Sequence, residues 1–236
     1  MPVSSEINYC IIKINNRKES NILNTKRILK SANFISTIEY FNGIIFDSKQ
    51  KLLENKIRVR WGHPVEPYSP LPGELGEWVS MINCFKYIVE NNLDHMLILE
   101  DDAELLDDFL PVFMNAINDL PDNFDFLSLY SSNWDNKKSD TYSDIGSSWI
   151  HKAIYQKTAT PATLVSNSGA KKILKAVRSF GITEPIDSFL FNKARSFKLI
   201  GFSLLPDIII VKHSNKLSDS MIDPENLRKD TYRIDS

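Results

Sequence analysis

The chain has 236 residues, of which 42% are hydrophobic and 25% charged, with a formal net charge of -2. That length suits one domain with a sizeable core, and the nearly balanced charge gives no basic field for nucleic acid. The first residues lack a cationic start followed by an apolar run, and no eighteen apolar residues occur consecutively, which predicts a soluble, cytoplasmic protein without a membrane span.

The run INYCIIKI at residues 7–14 is β-branched and apolar, as in a buried strand. Residues 17–32 carry Ile22, Leu23, Ile28 and Leu29 at helical spacing, and residues 34–41 read as a second strand closed by Asn42-Gly43. This β-α-β order favours a right-handed crossover and a mostly parallel sheet. Cys10 falls in the first strand and Cys84 in a later helix, without zinc or disulfide spacing, so both are expected as buried free thiols.

Pro64, Pro67, Pro70 and Pro72 make residues 62–72 an extended loop. A helix follows, with Leu75, Trp78, Val79, Ile82, Phe85, Ile88 and Val89 on one face and Asn91-Asn92 at its stop. Residues 96–99 are an apolar strand that delivers Glu100, Asp101 and Asp102 at its carboxyl end. A helix over 105–120 and a strand over 124–130 come next, then a polar loop over 131–148. Residues 149–155 and 162–165 are strand-like, 168–180 are helical, and a short helix begins near Pro185. Residues 197–200 and 208–211 read as closing strands, and residues 213–236 are polar, either a frayed tail or a flap over the site. There is no internal repeat, Walker loop or dinucleotide fingerprint.

Open α/β sheets bind ligands beyond the carboxyl ends of their strands, which is where Glu100-Asp101-Asp102 falls. Adjacent carboxylates repel, and a hard divalent cation relieves that repulsion while leaving positions for phosphate oxygens. The same three acids also suit a solvated strand-to-helix turn, where a helix N-terminus favours negative charge.

At this point the sequence resembles glycosyltransferase family 25, the group that includes lipooligosaccharide and collagen galactosyltransferases. The resemblance is carried by Asn15-Asn16-Arg17, Phe41-Asn42-Gly43, Gly73-Glu74-Leu75-Gly76, Ser80, Ile98-Leu99-Glu100-Asp101-Asp102-Ala103, Ser168-Gly169-Ala170-Lys171 and Pro185-Ile186-Asp187. It implies an α/β, GT-A-like single domain over residues 1–212, a manganese ion, and inverting transfer of a hexose, commonly galactose, from a UDP-sugar in lipopolysaccharide biosynthesis. The expected partners are that donor and a saccharide or glycoconjugate acceptor, with peripheral membrane association left open.

By this resemblance Asp102 is the principal metal ligand and His213 a second candidate, whose alternative is a surface or packing role, while Glu100 and Asp101 contact ribose or donor sugar. Asn15, Asn16, Arg17, Gly43, Glu74 and Ser80 are expected on the donor side. Asp187, at the Pro-x-Asp position, is expected to take the proton of the acceptor hydroxyl, with Glu184 as reserve; the alternative role for Asp187 is helix capping. Glu77 and Met81 depart from the family pattern, which has cysteine and histidine there, and the arginine-rich turn is reduced to Arg17. Thr158 and Thr160 suit an acceptor cleft or an edge strand, and His63, His95 and His151 read as structural. Trp78 belongs to the core by its helical position, whereas Trp134 in the polar loop suits a sugar platform. Two other readings remain: a metal-dependent phosphohydrolase, and a saccharide-binding or assembly module without turnover.

Overall fold

The computed structural model describes residues 7–13, 20–31, 34–35, 41–43, 72–130, 142–144, 150–153, 160–192, 197–204 and 209–211. The elements in chain order are β1 (Asn8–Lys13), α1 (Ser20–Ser31), β2 (Phe41–Asn42), α2 (Pro72–Glu90), β3 (His95–Glu100), β4 (Ala103–Leu105) and α3 (Phe109–Asp119). They continue with β5 (Phe126–Ser128), β6 (Tyr142–Asp144), β7 (Ile150–Ala153), β8 (Ala162–Ser166), α4 (Asn167–Phe180), α5 (Ile186–Asn192), β9 (Gly201–Leu204) and β10 (Ile209–Val211).

Strand alternation builds three layers. In β1, Tyr9 and Ile11 face one core while Cys10 and Ile12 face the other, and in β3 Leu97 and Leu99 oppose Met96 and Ile98 in the same way. Ile22 and Leu29 of α1 and Phe109, Phe113 and Ala116 of α3 close the first core. Trp78, Met81, Phe85 and Ile88 of α2, Ala170 and Ile173 of α4, and Phe189 and Leu190 of α5 close the second. A strand buried on both faces has no polar side to offer, which is why its sequence is a continuous apolar run.

The described main sheet has the order β2-β1-β3-β8-β5-β9-β7-β6. Pairings β1–β2, β1–β3 and β5–β9 are parallel, while β3–β8, β5–β8, β7–β9 and β6–β7 are antiparallel. The sheet is therefore mixed, and only β8 and β7 run against the direction of the other six. Because β2 and β3 lie on opposite sides of β1, the strand order reverses there, and such a reversal opens a crevice at the carboxyl ends. Ile12 pairs with Glu100 at that edge.

Several boundaries differ from the sequence expectation. The segment after Asp102 forms β4 rather than the start of a helix, because Ala103–Leu105 pair antiparallel with β10 in a separate two-stranded sheet. The helix then starts at Phe109. The closing strand is Gly201–Leu204, and Phe197 instead stacks at 5.6 Å on Phe189. Within the expected polar loop, Tyr142–Asp144 pair with β7. Asn15, Asn16, Arg17, His63, Trp61, Trp134, Trp149, Thr158 and residues 213–236, His213 among them, lie outside the described residues.

Both cysteines are free and buried, with their Sγ atoms 3.8 Å apart between β1 and α2. Burial pushes the Cys84 thiol well above its ordinary value, so it packs as a small apolar group. His95 is buried in β3, and desolvation lowers its pKa, which keeps the imidazole neutral.

Candidate active site

The carboxyl end of β3 turns sharply through Glu100, Asp101 and Asp102 before β4 begins. The Glu100 amide donates to the Pro161 carbonyl at 2.8 Å, which ties this turn to the entry of β8. Asp101 is 5% exposed, and Glu100 and Asp102 are half-buried. Val211 of β10 pairs with Ala103, so the end of the last described strand lies beside the residue that follows Asp102.

Two further elements bring carboxylates to this region. The first turns of α2 supply Glu74, 9% exposed, and Glu77, one helical turn later on the same face. The start of α5 supplies Asp187, whose Oδ1 accepts the Ser188 amide at 2.6 Å. Glu77 Oε1 accepts the Thr160 hydroxyl at 2.8 Å. Burial raises the Glu77 carboxyl to about 7; the Thr160 hydrogen bond opposes that rise, and the negative charges of Asp187, Glu74 and Asp102 add to it. Four carboxylates from three separate elements thus lie within electrostatic reach of one point.

Glu77 stands where the family pattern has cysteine. The sequence exposed it as a departure without showing what it faces, because its neighbours Asp102, Thr160 and Asp187 are far away along the chain. Met81, at the histidine position, is instead 1% exposed in the second core. Ser80 is buried and donates to the Gly76 carbonyl at 2.8 Å, and Gly43 is half-buried just after β2. Glu184 lies at the entry to α5, where its carbonyl accepts the Trp78 indole at 2.7 Å. Trp78 is fully buried, as its helical position predicts.

The described carboxylates offer oxygen donors, which suit a hard divalent cation rather than a thiolate-seeking metal. Among the described residues, no three Asp, Glu, His or Cys side chains come together as a ready-made metal centre. The Ser168-Gly169-Ala170-Lys171 segment, by contrast, has a structural job. Asp125, fully buried, accepts Ser168 Oγ at 2.8 Å, Lys172 Nζ at 2.6 Å and the Ile200 amide at 2.8 Å.

No helix among the described residues is long and apolar enough to cross a membrane. No curated protein matches the chain. Among solved structures it is similar to a mutant Drosophila β-1,4-galactosyltransferase 7 in complex with manganese, UDP-Gal and xylobiose. The identity is 12% and the TM-score 0.46, over 97% of this chain and 81% of that one. The family model described as glycosyltransferase family 25 (LPS biosynthesis protein) matches residues 9–190. That span takes in all but the first residue of β1, the acidic turn and the start of α5, and the chain belongs to glycosyltransferase family 25.

Proposed function

We propose that this glycosyltransferase has a GT-A-like fold and is inverting and metal-dependent, moving a hexose, galactose as the first choice, from a UDP-sugar to a hydroxyl of a saccharide or glycoconjugate. The observation that carries the reading is that α2 joins both acidic segments: Glu77 accepts the Thr160 hydroxyl beside Pro161, whose carbonyl holds the Glu100 amide of the acidic turn, and Trp78 holds the Glu184 carbonyl just before Asp187. Two acids delivered by unrelated elements to one region suit a reaction with a diphosphate side and an acceptor side.

Asp102 and His213 would hold the cation, and the pairing of Val211 with Ala103 supports this by bringing the chain two residues before His213 beside the acidic turn. A bound divalent cation would stabilise the negative charge that develops on the departing diphosphate. Glu100 and Asp101 would orient ribose or donor sugar. Asn15, Asn16, Arg17, Gly43, Glu74 and Ser80 are assigned to the donor side by family likeness.

The acceptor oxygen bonds to the anomeric carbon on the face opposite the leaving UDP, and the electrons of the broken carbon–oxygen bond leave with the diphosphate. Asp187 takes the hydroxyl proton as that bond forms. Glu184 is the reserve for this role.

The test follows UDP release from UDP-galactose with manganese, with and without simple glycoside acceptors. EDTA should abolish release and manganese restore it, and Asp102→Asn should lower it by ~10²–10³. Asp187→Asn should lower it by ~10²–10⁴ with donor binding intact. Full turnover in EDTA would eliminate the cation. Wild-type turnover by the Asp187 variant would leave that residue only a structural role, and binding of UDP-galactose without any turnover would favour a saccharide-binding module.

A further inference from the structure

Glu77 and Trp78 are neighbours on α2 with different tasks. Glu77 joins the carboxylates, while Trp78 is fully buried beneath the start of α5. The Trp78 indole N–H donates to the Glu184 carbonyl at 2.7 Å, three residues before Asp187. The same ring meets Phe189 edge-on, with centroids 5.0 Å apart at 79°, two residues after Asp187. Phe189 in turn stacks on Phe197 at 5.6 Å, and its amide closes the first turn of α5 onto the Pro185 carbonyl at 2.8 Å. One side chain therefore grips the segment on both sides of Asp187.

We propose that Trp78 is a positioning residue that sets Asp187 against the acceptor hydroxyl by fixing the Glu184 carbonyl and the Phe189 ring; this rests on the assignment of Asp187 as proton acceptor. A seven-residue helix has few hydrogen bonds of its own, so its placement depends on what it packs against. The indole bond is directional and the ring contact is lateral. Together they restrain both the rotation and the slide of the first turn. Proton transfer requires hydrogen-bond reach, so a small displacement of Asp187 costs rate without touching the diphosphate side.

Trp78→Phe removes the N–H while keeping an aromatic ring, and the test places it in wild-type and Asp187→Asn backgrounds of the full chain. With UDP-galactose and manganese, Trp78→Phe should lower kcat about tenfold and leave the donor KM unchanged. In the Asp187→Asn background the same change should cost less than about twofold, because the residue through which it acts is already disabled. An equal loss in both backgrounds, or a raised donor KM at unchanged kcat, would overturn the proposal. If Asp187→Asn alone turns over like wild type, the proton-acceptor assignment fails first and the positioning role falls with it.

Amide exchange gives a readout independent of turnover. Ser188 and Phe189 should exchange at least about tenfold faster in Trp78→Phe, with the β3 amide of Ile98 unchanged. Unaltered exchange at both would overturn the proposal whatever the activity. Should Trp78→Phe not fold, Phe189→Leu removes the ring contact while retaining the indole bond, and the same cycle and exchange criteria apply.

Discussion

A carboxylate partly withdrawn from water beside three others must be held there at some cost, and Glu77 shows that cost as a carboxyl raised from 4.5 to about 7. Between those values the folded chain binds more protons than the unfolded chain. Stability conferred by the protonated form is thus complete below about 4.5 and is lost as pH rises through about 7. Glu77→Gln keeps the shape and an acceptor for the Thr160 hydroxyl but removes the charge. Without divalent cations the variant should melt several degrees above wild type at pH 8, at roughly 2–4 °C per kcal/mol for a chain of this size. The gap should close toward pH 4, where both side chains are neutral. Equal melting temperatures at pH 8 would mean that the carboxylate is well solvated. In the sequence Glu77 stands out as a departure from the family pattern, and Asp187 and Asp102 have separate expected roles. That all three share one electrostatic environment depends on the packing of α2 against α5 and of β3 against β8, which no local signal encodes.

Elements with strong periodicity were legible, and those defined by a distant partner were not. The helices α1, α2 and α4 follow from 3.6-residue spacing, and β1 and β3 from unbroken apolar runs. β4 is three residues long and exists because β10 pairs with it from the far end of the chain. The apolar stretch around Phe197–Leu204 offered no choice of register by itself, and β5 selects Gly201–Leu204 by pairing Phe126 with Gly201. At Gly201 the Phe126 ring lies where a Cβ would stand. The start of α4 shows the same logic in a form that can be measured. Ser166 caps the helix by accepting the Gly169 amide at 3.1 Å and donates to the Phe124 carbonyl at 2.8 Å, while a methyl at Gly169 would overlap the Asp125 carbonyl. Ser166→Ala should therefore cost about 1 kcal/mol, as for a lost cap. Gly169→Ala should cost about 1–3 kcal/mol even though alanine is the better helix former, because backbone rather than a pliable side chain must move. Urea unfolding orders the two, and a Gly169→Ala variant as stable as wild type would refute the close approach of α4 to β5.

At the scale of the whole molecule, the strand order reverses beside β1, the acidic turn follows the carboxyl end of the neighbouring β3, and β10 carries the chain back to that turn; open α/β sheets generally bind ligands at such a reversal. If a cation and a nucleotide sugar share this place, each must strengthen the binding of the other, because the diphosphate supplies ligands to the cation and the cation neutralises the diphosphate. UDP-galactose alone should then raise the melting temperature little, manganese alone little, and both together by more than the sum. At about 100 times its Kd a ligand adds about 2.7 kcal/mol. For a chain of this size that is a rise of roughly 5–10 °C. Asp102→Asn should reduce the joint rise to the sum of the separate ones if, as proposed, Asp102 holds the cation. Asp187→Asn should keep the full joint rise if, as proposed, its role begins only when an acceptor hydroxyl arrives. Additive shifts in wild type would separate cation from donor and break the link between the acidic turn and the diphosphate, whereas loss of the joint rise in the Asp187 variant would move that residue from the acceptor side to the donor side.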